Sequence, residues 1–109
     1  MKTLRLAALA AVVSWGVAGA AIGADGNAEA GKKKTQMCEG CHGIPGFRTA
    51  YPEVYMVPKL GGQSANYIVA ALKAYKAGDR LHPSMRAIAG SLSEQDMADL
   101  AAYYSAPAK

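Results

Sequence analysis

From Ser64 onward, apolar residues recur at helical spacing. Ile68, Ala71, Leu72 and Tyr75 stand at i, i+3, i+4 and i+7, which places them on one stripe of an α-helix. Ser64 can cap that helix and Gly78 stops it. The spacing returns at Met97, Leu100, Ala101 and Tyr104, after Ser93 and Asp96 in a variant of the capping box, and Pro107 ends the run. Upstream, residues 25–37 are rich in Ala, Glu, Lys and Gln, with Asp25 or Asn27 available as an N-cap. This composition predicts a helix ending at Cys38. Gly31 lies inside it, where Gly costs about 1 kcal/mol relative to Ala. It marks either a close approach by another element or a plain loss of propensity. Lys32, Lys33 and Lys34 read as a solvated face. No run has the pattern of a strand.

Two stretches resist regular structure. Residues 43–62 hold four Gly and three Pro, which forbids a regular helix or a central strand. A twenty-residue loop in a small domain is suspect unless it wraps something. Tyr51, Tyr55, Met56, Val57 and Leu60 would supply apolar contacts along it. The second stretch, residues 79–92, is expected to be irregular or to hold one short helical turn at 86–89, and it contains His82-Pro83-Ser84-Met85.

The N-terminus changes the picture of size and compartment. Lys2 and Arg5 precede an apolar run from Leu6 to Val17, broken by Ser14, and small residues follow from Ala18 to Ala24. This is the three-part pattern of a secretory signal peptide, with cleavage between Ala20 and Ala24. The alternative is an uncleaved anchor, though the run is near the lower limit for spanning a bilayer. The expected organisation is a signal peptide at 1–24 and one domain at 25–109, in the periplasm. Loss of Lys2 and Arg5 lowers the formal charge from +4 to +2, and basic and aromatic residues are not interleaved. Nucleic acid is therefore not an expected partner. A domain this small has a thin core of its own.

The chemistry lies in Cys38-Glu39-Gly40-Cys41-His42. On a helix, a three-residue offset puts both thiols on one face, about 4.5 Å apart along the axis. That spacing suits two thioether bonds to one porphyrin, with His42 as an iron ligand, so the pentapeptide reads as a site for covalent haem c. A redox dithiol would want a βαβ context, and zinc would want a second ligand pair. The chain has no further Cys, and its only other His is His82. An enclosed haem would supply the missing apolar volume and give the 43–62 loop something to wrap, with Arg48 or Lys59 meeting a propionate.

The second axial position is open to a Met, a His or nothing. Met37 adjoins Cys38, Met97 sits in a helical stripe, and Met56 lies only 14 residues beyond His42. Met85 lies 43 residues beyond His42, across a helix, which is enough chain to reach the far side of a ring. Met85 is favoured over His82 and over an open site.

Several segments in order resemble the short class I cytochromes c of bacteria. They are Cys38 to Gly43, then Pro58-Lys59-Leu60-Gly61-Gly62-Gln63, then Tyr67, Leu72, Tyr75, Gly78 and Arg80, then Met85, then Leu92 to Tyr104. The resemblance covers nearly all of residues 25–109. It implies an all-α fold of three to four helices and irregular loops wrapped around one covalently attached haem. Cys38 and Cys41 look like the thioether residues, His42 like the proximal ligand and Met85 like the distal one. Pro58 stands where the family places a carbonyl accepting the His Nδ1–H, and Leu60 where a side chain packs on the ring. Gly31 and Tyr103 match the pair at which the first and last helices cross. The chain departs from the mitochondrial pattern in lacking long Ω-loops and in carrying His82.

The implied function is electron transfer, not catalysis, by a monomer serving redox protein partners. It would have no stable membrane association once the signal is cleaved. Electrons would pass near Cys38 and Cys41, with Lys59, Lys73 and Lys76 as candidates to rim that edge. A haem subunit dedicated to one dehydrogenase or oxidase, and a haem sensor or enzyme with an open distal site, are the alternatives.

Overall fold

A computed structural model describes residues 25–50 and 54–106. The expected leader or anchor, Tyr51, and Pro107 lie outside them. In chain order the elements are α1 (Ala28–Lys32), α2 (Gln36–His42), β1 (Arg48–Thr49), β2 (Tyr55–Met56), α3 (Ala65–Ala77), α4 (Pro83–Gly90) and α5 (Glu94–Tyr104). The chain is mostly helical, as expected, with five helical segments among the described residues where three to four helices were expected.

The expected first helix is two. Thr35 is buried, and its hydroxyl lies 3.0 Å from the Lys32 carbonyl and 2.6 Å from Glu39 Oε1. A hydroxyl bonding back to the preceding turn competes with the helical ladder. The ladder restarts at Gln36, so α2 carries the whole Cys38–His42 segment instead of stopping before it.

A second departure is α4, where an irregular stretch or one short helical turn at 86–89 was expected and the helix runs from Pro83 to Gly90. Pro83 occupies the first turn, where its missing N–H is no loss, and the His82 ring caps the helix by accepting from Met85 N at 3.3 Å. Met85 therefore sits on a helix rather than in a loop. The third departure is a short antiparallel pairing, Arg48 with Met56 and Thr49 with Tyr55. Two-residue strands are too short to leave a periodic signature.

α1 packs on α5, and α3 packs on both α4 and α5. Gly31 is buried at the first of these crossings. A Cβ there would stand 2.0 Å from the Asp99 carbonyl oxygen and 3.0 Å from the Tyr103 Cβ. The glycine is thus a close approach, with the partner that the resemblance implied. Lys34 leaves the expected solvated face. Its ammonium lies 2.7 Å from Asp96 and 2.6 Å from the buried Asp99, whose carboxylate also accepts from Asn27 N and Gln95 Nε2. These bonds hold both carboxyls down to about 2, Lys34 being the largest cause for each.

The core is thin. Its centre is Leu92, Met97 and Leu100, and Met97 is the one large side chain among the described residues that is completely enclosed. Apart from Cys38, which touches this cluster, α2 makes no extensive packing with another helix.

Candidate functional site

The space that α2 leaves open is a cavity of about 600 Å³ with mainly apolar walls. This lies within the roughly 300–1,000 Å³ typical of cofactor sites. Cys38, Cys41 and His42 of α2 line it, together with Pro58 and Leu60 of the following loop and Met85 of α4. All six residues singled out from the sequence therefore face one space. Tyr55 and Met56 of β2, Ile68, Leu72 and Tyr75 of α3, and Leu100 and Tyr104 of α5 complete much of the wall.

His42 Nδ1 lies 2.7 Å from the Pro58 carbonyl oxygen. A carbonyl can only accept, so the proton belongs on Nδ1, and Nε2 keeps its lone pair for a metal. Cys38 is half-buried and Cys41 exposed, both as free thiols. Burial pushes the Cys38 thiol up, with a smaller opposing effect from the Tyr104 hydroxyl beside it. Redox Cys-x-x-Cys pairs need a depressed thiol pKa, so this environment argues against dithiol chemistry. Two thiols at one wall, an imidazole with a free Nε2 and a thioether in the same apolar space fit a covalently bound haem.

Tyr104 was expected on the apolar stripe of the last helix, with no role at the site. It lines the cavity, meets Cys38, and its carbonyl accepts from Gly62 N at 2.8 Å, tying the Pro58–Leu60 loop to α5. Burial raises its own hydroxyl pKa above the ordinary value. Its place at the end of the α5 stripe could have suggested a wall residue.

Other expectations shift. Lys59 reaches the cavity wall, but Arg48 does not. Lys73 pairs with Glu94 at 3.2 Å and Lys76 donates to the Leu92 carbonyl, so neither rims the opening. Arg80 does line it, stacked 4.7 Å over Tyr75 and 3.4 Å from the Tyr67 hydroxyl. Met37 and Met56 share the wall with Met85, whereas Met97 is core. His82 is in the wall, with Nδ1 committed to capping α4.

The family model for cytochrome c matches residues 28–105, which includes the whole of the cavity's described frame. The chain belongs to the cytochrome c family. It is 43% identical over 83 residues to cytochrome c-554(548) of Halomonas halodenitrificans, covering 73% of this chain and 95% of that protein. It is 39% identical over 82 residues to cytochrome c4 of Pseudomonas aeruginosa, covering 75% of this chain but 39% of the relative. The crystal structure of reduced recombinant cytochrome c4 from Pseudomonas stutzeri superposes with a TM-score of 0.61 at 36% identity, over 76% of this chain and 46% of that one. The chain thus spans nearly all of the Halomonas protein and under half of these cytochromes c4. As a cytochrome c it holds one covalent haem c through Cys38 and Cys41, and it is an electron carrier rather than an enzyme.

Proposed function

We propose that this cytochrome carries one electron at a time in the periplasm, between redox protein partners, with His42 and Met85 as the two axial ligands of its haem. The observation that carries the reading is the convergence of His42 and Met85 on one cavity from α2 and α4, helices that make no extensive contact with each other. Bound haem supplies the Fe(III)/Fe(II) couple. The protein's part is to hold and tune. Cys38 and Cys41 tether, and Pro58 fixes the His42 tautomer and increases its donor strength. A Met85 thioether favours the reduced state, and the apolar wall that excludes water does the same. With His42 and Met85 both holding the iron, no position would be left for a substrate, and little would have to move when the charge changes. Export rests on the Lys2–Ala24 pattern.

The test is a redox titration of the haem-loaded protein followed by absorption. The oxidised wild type should show the weak long-wavelength band of iron–thioether ligation. Met85→Ala should lose that band and lower the potential on the order of 0.1 V or more, within the roughly 0.8 V that axial ligands span. Met56→Ala should keep the band. An unchanged band and potential in Met85→Ala would overturn the distal assignment and point to another thioether of the wall, Met56 or Met37, whereas a wild type without the band would favour His82 or an open site.

A further inference from the structure

The segment between α3 and α4 borders two spaces. Arg80, Leu81 and His82 line the haem cavity, and the same three residues line a separate open groove of about 710 Å³. Pro83, Arg86, Ala87 and Gly90 complete the groove and take no part in the cavity. The groove is therefore an external surface backed directly by a cavity wall.

Its chemistry is that of a docking site. Leu81 is 86% exposed, the most exposed large apolar side chain among the described residues. The groove lining carries two guanidiniums and no carboxylate. Among the described residues, the acidic side chains in ion pairs go to Lys34 and Lys73, not to Arg80 or Arg86. Asp79 is exposed next door but lies outside the groove lining. Arg80 is held in place from beneath. Arg80 stacks on Tyr75, and the Arg86 guanidinium lies over Gly78, 3.6 Å from where a Cβ would stand. A guanidinium that is already ordered loses little freedom on binding. Its planar fork also matches a carboxylate better than an ammonium does.

We propose that this groove docks the acidic surface of a redox partner protein, with carboxylates on Arg80 and Arg86 and an apolar side chain over Leu81. Arginine flanking an apolar centre is the composition enriched at protein interfaces. Complementary charge would speed encounter without demanding high affinity, which suits a brief electron-transfer contact. The partner would rest against the Leu81–His82 wall, on the α4 side of the site rather than at the Cys38 and Cys41 edge. The proposal rests on the electron-carrier reading, but not on which residue is the distal ligand.

An acidic [2Fe–2S] ferredoxin, kept oxidised, serves as the probe. It is titrated at low ionic strength into the isotope-labelled, haem-loaded cytochrome while backbone amide shifts are followed. Shifts should concentrate at Leu81, Ala87 and Gly90, and should fade as salt is raised. Arg86→Glu should weaken binding at least tenfold, whereas Lys33→Glu, the same charge change on an exposed turn after α1, should change it less than twofold. Shifts centred on Cys41 and Lys59, equal effects of the two variants, or no saturable binding would each overturn the proposal. Arg86→Gln should give an intermediate loss, which separates charge from a reversal artefact. Absorption spectra and potentials of the variants report ligation independently. An error in the ligand assignment would appear there while leaving the shift map intact.

Discussion

The Nδ1 of His42 stands 2.7 Å from the carbonyl oxygen of Pro58, a residue sixteen positions later in an otherwise irregular loop. The contact makes a proline carbonyl part of the electronic surroundings of the iron ligand. A stronger acceptor makes the imidazole a better donor, which favours Fe(III). Pro58→Gly keeps the carbonyl but frees its backbone, so the hydrogen bond should weaken and the potential should rise. The same change should destabilise the protein by about 1 kcal/mol through the freer unfolded chain. Potentiometry and denaturant titration check the two effects separately.

His82 and Met85 are three residues apart, and both reach the cavity wall. Since the His82 ring caps α4, His82→Ala should cost roughly 0.5–2 kcal/mol of stability. The long-wavelength band should survive. A wild type without that band, whose spectrum and potential change in His82→Ala, would make His82 the ligand and Met85 a bystander.

Gly31 tests the crossing of α1 and α5. Gly31→Ala would drive a Cβ into the Asp99 carbonyl oxygen, and overpacking of this kind costs about 1–3 kcal/mol. The denaturant midpoint should fall at constant slope, with the haem spectrum unchanged.

The Lys34 cluster sets a pH dependence at both extremes. Asp96 and Asp99 have folded-state pKa values depressed to about 2, with Lys34 the first cause of each. Their contribution to stability is present above the ordinary carboxylate range and is lost as pH falls toward 2. Lys34 itself is raised above its usual value, chiefly by Asp96 and then Asp99. Its contribution is present below the ordinary lysine pKa and is lost as pH rises through the folded value. Lys34→Met should flatten the acid limb of a stability-against-pH curve measured by denaturant titration, and the alkaline limb with it. Unaltered limbs would show that the cluster does not govern either.

Removing the haem should cost the fold itself. With α2 making no extensive packing on another helix among the described residues apart from Cys38, the cavity walls have little to close upon. Cys38→Ala/Cys41→Ala protein made without haem should show reduced helical circular dichroism and no sharp thermal transition. A cooperative transition matching that of the loaded protein would mean that the α3–α4–α5 packing suffices alone.

The features legible in the sequence are those written into neighbouring residues. Cys38, Cys41 and His42 announce haem because attachment needs two thiols and an imidazole at fixed offsets along one short segment. The stripes of α3 and α5, with Ser64 and Ser93 as caps, follow from helical periodicity. Features decided by partners distant in the chain were out of reach. Thr35 breaks the first helix through a competing hydroxyl bond. Pro83 was available as a helix-start signal, but His82 becomes a cap only once its ring folds back onto Met85 N. Lys34 is drawn into ion pairs because Asp96 and Asp99, more than sixty residues later, converge on it. Composition and spacing thus determined the cofactor, while three-dimensional packing decided which charges are spent inside the molecule. Arg80 and Arg86 remain exposed, and the ion pairs among the described residues leave both aside, which no local pattern records.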